Sequence, residues 1–164
     1  MKIRAKDYND AEKVTKIITD IEKLSLSDRI KIVDEINVYQ PFLISLFLGY
    51  KDKLDKNDLG EFIIDIIIVW RFFSDNQQVK KKKITPELYR EIDRKNFEML
   101  NYLSGETSEK TKRDITEMDL STLDSKALLT GVFYRYKRRN ALRNIHMELI
   151  IGLKALIECF ERII

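Results

Sequence analysis

The sequence predicts an all-α protein: a single compact helical domain over residues 1–164, with about six to eight helices. Three observations predict it. Five Gly and two Pro in 164 residues leave little material for the tight turns of a β-sandwich or barrel. Apolar residues recur at helical spacing along most of the chain. The most apolar stretch, Leu59–Phe73, continues well past the ~8 residues at which strands usually end. With 44% hydrophobic and 35% charged residues, the chain is globular. At this length it buries about 70% of its unfolded surface and needs no disulfide or metal to fold.

The first helix is marked by Ala11, Val14, Ile17, Ile18, Ile21 and Leu24 on one side and by Lys13, Lys16, Asp20 and Lys23 on the other. Asn9 and Glu12 have capping-box spacing at its start. Ser25 or Ser27 begins the second helix, with Ile30, Val33 and Ile36 on one side. Pro41 ends that helix near Tyr39, because the residue before a proline is pushed out of the α region. It also opens a short apolar helix, 41–50. The charged turn KDKLDKND leads into the central helix, read over about 58–73 with Asn57 or Asp58 as its cap. Asp58, Glu61 and Asp65 form a wet stripe on its first half, and its second half is apolar nearly all round, as befits a core helix. Asp65 ends this stripe or pairs with a cation from a neighbouring helix.

Residues 74–85 (SDNQQVKKKKIT) lack periodicity and read as a basic loop, a point at which the chain would subdivide into 1–73 and 86–164. Thr85, Pro86 and Glu87 start the next helix as cap, first-turn proline and first-turn acid, and Gly105 closes it. Leu88, Ile92, Met99 and Leu103 mark its buried side. Residues 106–120 are polar and poorly patterned: either an open stretch, or one in which Glu109–Arg113 makes a helical turn. Ser121 or Asp124 begins the C-terminal region. Leu123, Ala127, Leu128 and Phe133 lead to a strongly apolar last helix through Leu149, Leu153, Leu156, Phe160 and Ile163. The spacing allows one long helix from 125 to 164 or two, and a break near Arg139–Asn144 is preferred, with Asn140 or Asn144 as the cap.

Function is less legible than fold. The lone Cys159 sits in an apolar pattern and reads as a small core hydrophobe. His146 is the only histidine, which excludes a zinc site built from several His or Cys ligands. His146 and Cys159 are thirteen residues apart in a helical stretch, too far to form a catalytic dyad. The N-terminus has no apolar run of the signal-peptide kind, and Leu59–Phe73 is shorter than a membrane span. The expected setting is therefore cytoplasmic and reducing, away from the membrane. Residues 1–73 hold 12 Lys+Arg against 13 Asp+Glu, and residues 74–164 hold 18 against 14. That imbalance is too small to demand a polyanionic partner, so only a local cluster could matter.

The sharpest such cluster is basic. At about 100° per residue, Arg135, Arg138, Arg139 and Arg143 share one arc of a helix, with Tyr134 and Tyr136 beside it and Phe133 opposite as core anchor. Guanidinium groups grip phosphate or carboxylate bidentately and stack on aromatic faces. The expectation is a non-enzymatic binding module with an anion-binding surface that needs no cofactor. Its partner would be nucleic acid, an acidic protein, or a second copy of the chain. Lys80–Lys83 would extend the patch if their loop folds toward it.

A second reading starts from Glu158 and Glu161, an E-x-x-E pair, and from Glu61 and Asp65 at i, i+4. These four resemble the paired carboxylates by which all-α nucleotide pyrophosphohydrolases hold magnesium, and the resemblance is confined to them. It implies Mg²⁺ as cofactor and a nucleotide hydrolase, provided the two pairs face one another.

Overall fold

The computed structural model describes residues 4–139 and 147–164, the Arg139 side chain excepted. Among these residues nine helices follow one another: α1 (Ala5–Lys23), α2 (Leu26–Tyr39), α3 (Pro41–Gly49), α4 (Lys56–Phe73), α5 (Gln77–Lys81), α6 (Pro86–Gly105), α7 (Glu109–Ser121), α8 (Lys126–Arg139) and α9 (Met147–Ile163). The expected all-α single domain is what forms, with more helices than periodicity suggested. The two additions, α5 and α7, fall in stretches read as loop or as a single turn. Their cap residues, Asn76 and Ser108, accept hydrogen bonds from the N–H groups of Gln78 and Thr111. Whether α8 and α9 are continuous lies outside the described residues, as do Asn140, Asn144 and His146.

Most helix starts are local chemistry. Ser25 caps α2, Asp55 caps α4 and Thr85 caps α6, each side chain accepting the N–H three residues on. Asp55 takes the role expected of Asn57 or Asp58. In α1 the expected Asn9/Glu12 box is replaced by one a turn earlier, where Arg4 N–H donates to Asp7 Oδ2 at 2.7 Å.

The centre of the protein is α4. Phe62, Ile64–Trp70, Phe72 and Phe73 are buried, as are Ile151–Ile157 and Phe160 of α9. Trp70 lies between Tyr39 of α2 and Phe160 of α9, and Phe73 stacks on Phe160 at 4.8 Å. Around α4 pack α1, α2, α3, α8 and α9, while α9 also lies along α6. The helices of the two halves therefore interleave.

Two polar side chains hold this arrangement from inside. Gln40 is fully buried. Its amide donates to the carbonyls of Val79 and Lys82 and accepts from Ile84 N–H at 2.8 Å, which fastens the 79–84 segment to the end of α2. Lys154 donates to Asn96 Oδ1 at 2.6 Å and to Glu158 Oε1 at 2.7 Å, with Asp119 at 3.4 Å, and so links α9 to α6 and α7. Cys159 is buried, and burial pushes its thiol up to about 12. It is chemically quiet at neutral pH, as expected of a core hydrophobe.

Candidate functional site

A groove runs along the seam between α1 and α8. The two helices run side by side in the same direction. Asp7 meets Lys126 at their N-terminal ends (2.9 Å), and Glu22 meets Arg138 at their C-terminal ends (3.3 Å). Near the middle they approach closely at Gly131, where a Cβ would collide with Val14 Cγ1. Only glycine allows this approach, and Ala127 one turn earlier continues the small-residue strip. Outside the contact line lies a groove of about 610 Å³. Ala11, Val14, Ile18, Leu120 and Ala127 are among the residues that line it. Three threonines line it too, but their hydroxyls bond back to their own helices: Thr15 to Ala11 O, Thr19 to Thr15 O and Thr130 to Lys126 O. Their methyl groups are what remain for the groove.

Each end of the groove is charged. At the N-terminal end Asp7 is buried against Arg4 and Lys126. Burial pushes its carboxyl up. The hydrogen bonds from Arg4 N–H, Lys126 and the Arg4 guanidinium outweigh that push and hold it well below the usual carboxylate range. At the C-terminal end stands Arg135, only 3% exposed. Its guanidinium donates to Asp65 Oδ1 and to Glu61 Oε2, both at 2.6 Å. Its Nε faces Glu22 Oε1 at 3.5 Å without completing a hydrogen bond. One guanidinium thus joins α8 to α4 and α1. Burial pushes the Asp65 carboxyl up to about 7 against the pull of Arg135.

The predicted basic arc is therefore divided, and part of it needs correction. Arg135 is not an exposed member of the arc, because its two Nη groups are turned inward onto Asp65 and Glu61 and only Nε is left toward Glu22. Tyr136 is buried in the core. The inward face of α8 is Leu128, Val132, Arg135 and Tyr136, whereas Phe133, the expected anchor, is only half-buried. Tyr134 and Arg138 do face outward, with the tyrosine 69% exposed and the Arg138 side chain 63% exposed, and Lys137 is exposed beside them. The Arg139 side chain and Arg143 lie outside the described residues. Lys80–Lys83 do not extend the patch. They follow the C-terminal end of α4, in the last residues of α5 and just after it, and α5 packs against α2 and α9, whereas Arg135 meets the N-terminal half of α4.

The magnesium arrangement is also corrected. Glu61 and Asp65 are committed to Arg135, Glu158 bonds Lys154 and Asn96, and Glu161 accepts from Ser125 N–H at 2.6 Å. The two acidic pairs sit in separate networks, and among the described residues no group of three or more His, Cys, Asp or Glu is placed to hold a metal ion. Likewise, no described helix is long and apolar enough to cross a membrane. No family model, curated protein or solved structure matches the chain.

Sequence reasoning missed the groove, Gln40 and Lys154. A signal existed for two of them. Ala127 and Gly131 form a small-x-x-x-small pair on α8, and Lys154 is a lone cation in an apolar run with Glu158 four residues on. Nothing local marks Gln40, whose partners lie about forty residues away.

Proposed function

We propose that this chain is a non-enzymatic binding protein that meets an acidic partner with the C-terminal end of α8. One observation carries the reading: Tyr134 and Arg138 are both strongly exposed on one turn, beside Lys137, at the end of the α1–α8 groove. An exposed arginine beside an exposed aromatic ring is the pair that grips a carboxylate or phosphate and stacks on a planar group. Among the described residues Arg138 pairs with the partly exposed Glu22, at 3.3 Å, and a surface ion pair of this kind is weak enough for an incoming anion to displace. With Arg135 and Tyr136 inside the protein, the surface suits an acidic protein segment or a short single strand better than a long nucleic-acid track.

The test replaces Arg138 and Arg139 together by Ala and measures binding of a single-stranded oligonucleotide at low and moderate salt. It is paired with capture of partners from the protein's own cell extract, with and without nuclease. The reading expects salt-sensitive binding that the double variant loses while its unfolding midpoint is kept. Equal binding by parent and variant in both assays would refute it. Captured partners that survive nuclease identify an acidic protein, and their loss identifies nucleic acid.

A further inference from the structure

The groove has a feature that the rim does not explain. Arg135 lines it, is almost wholly buried, and has a side-chain N–H left without a hydrogen bond. Buried donors are nearly always satisfied, and this one is closed from solvent and met only by a long ion pair, so a better-placed acceptor would be favoured there. The group closest to meeting it is Glu22 Oε1, at 3.5 Å from Arg135 Nε and 3.3 Å from Arg138 Nη2. The two inner acids stand at 2.6 Å from the same guanidinium. Glu22 is thus the loosely held member of the cluster and is partly exposed, with its carboxylate at the end of an apolar channel.

The channel has the dimensions of a ligand site. Its volume of about 610 Å³ is within the usual range for small-molecule pockets. Its wall from Ala11 to Ile18 rises about 10 Å along α1, and Glu22 follows about 6 Å further on. Apolar side chains and threonine methyls line that wall, so the site offers an apolar trough that ends at two arginines. We propose that the α1–α8 groove binds a medium-chain monocarboxylate. The hydrocarbon lies on Ala11, Val14, Ile18 and Gly131, and the carboxylate takes the place of Glu22 on Arg138 and Arg135 Nε.

The charge of the head group follows from its neighbours. Glu61 and Asp65 already face Arg135 from α4, and Glu22 faces it from α1. A ligand carboxylate that displaces Glu22 to solvent leaves the charge at the arginines unchanged. A phosphate dianion would add negative charge beside the buried Asp65 and the partly buried Glu61, and a neutral hydroxyl, though it can accept from Nε, would leave the arginines without the negative charge that Glu22 supplied. The inference extends the binding reading above from the rim into the groove. It uses a different probe, so either can fail alone.

The experiment titrates the full-length protein with decanoate by calorimetry, with 1-decanol and decyl phosphate as comparisons. Saturable one-to-one binding of decanoate is expected, with decanol and decyl phosphate each weaker by about tenfold, the worth of one charge-assisted hydrogen bond. Arg138→Ala weakens decanoate by a similar factor, and Glu22→Gln, which removes the internal competitor's charge, strengthens it. Ala11→Trp and, separately, Thr130→Trp fill the groove from exposed positions and abolish saturable binding while the unfolding midpoint stays within a few degrees. Three results would each overturn the proposal. They are no saturable binding of decanoate, equal or tighter binding of decanol or decyl phosphate, and undiminished binding by both tryptophan variants. Oligonucleotide binding that persists while decanoate fails leaves the rim reading standing and removes this one.

Discussion

Replacing Arg135 by Met separates a structural arginine from a ligand-binding one. The guanidinium is buried and makes two hydrogen bonds of 2.6 Å to Asp65 and Glu61. Met keeps the apolar stem and removes every donor. Asp65, 2% exposed, then faces the core without a cation. Breaking a buried pair by deleting one partner costs about 3–5 kcal/mol, because the other charge is left uncompensated. For a domain of this length each kcal/mol lowers Tm by about 2–4 °C, so a fall of roughly 6–20 °C is expected.

The loss must depend on pH with a definite sign. Burial already holds the folded Asp65 carboxyl above the ordinary aspartate range, at about 7. A raised carboxyl contributes stability that is full below the unfolded value and is lost as pH rises through the folded one. Without Arg135 the downward pull is gone and the folded value moves higher still. The cost of the substitution is therefore smaller at pH 5, where Asp65 is protonated and neutral, than at pH 8. Urea unfolding followed by circular dichroism at the two pH values reads both effects. Adding Asp65→Leu to the variant should recover part of the loss, since an apolar pair in place of a buried ionic one is often neutral or better. A variant as stable as the parent at pH 8 would show that Arg135 does not hold α8 to α4 and would refute the reasoning.

Two further substitutions test the framework around the groove. Gly131→Ala places a methyl against Val14 and forces α1 and α8 apart, at a cost of about 1–3 kcal/mol in urea unfolding. Val14→Ala in the same chain should restore part of that cost, and additive losses would mean that the two residues do not meet. Gln40→Leu removes the clasp on residues 79–84 and leaves Ile84 N–H and two carbonyls unmet, a loss of about 2–4 kcal/mol. Amide hydrogen exchange should quicken first at Ile84, and unchanged protection there would refute the clasp.

Much of the helix framework is written locally. Pro41 and Pro86 stand in the first turns of α3 and α6, and Ser25 and Thr85 cap where a short polar acceptor is expected. The apolar density of 64–73 and of 149–160 is enough to name the two core helices, because burial of that much hydrocarbon dominates folding. Helix α7 is harder to see because its stability comes from the Ser108 cap and from Asp119 near Lys154, with no fully buried residue to make a pattern.

The site was decided elsewhere. Periodicity groups Arg135 and Arg138 on one arc of α8, yet one lies in the core and the other in solvent. The sequence by itself determined that the C-terminal part of α8 would be rich in arginine and tyrosine. Only the tertiary structure decided which of them remain exposed. The packing of α1 and α4 around α8 brings Glu22, Glu61 and Asp65 from positions 70 or more residues away onto a single guanidinium. The physical reason is range: caps and periodicity act within a few residues, whereas a buried charge is settled by whichever helices close over it.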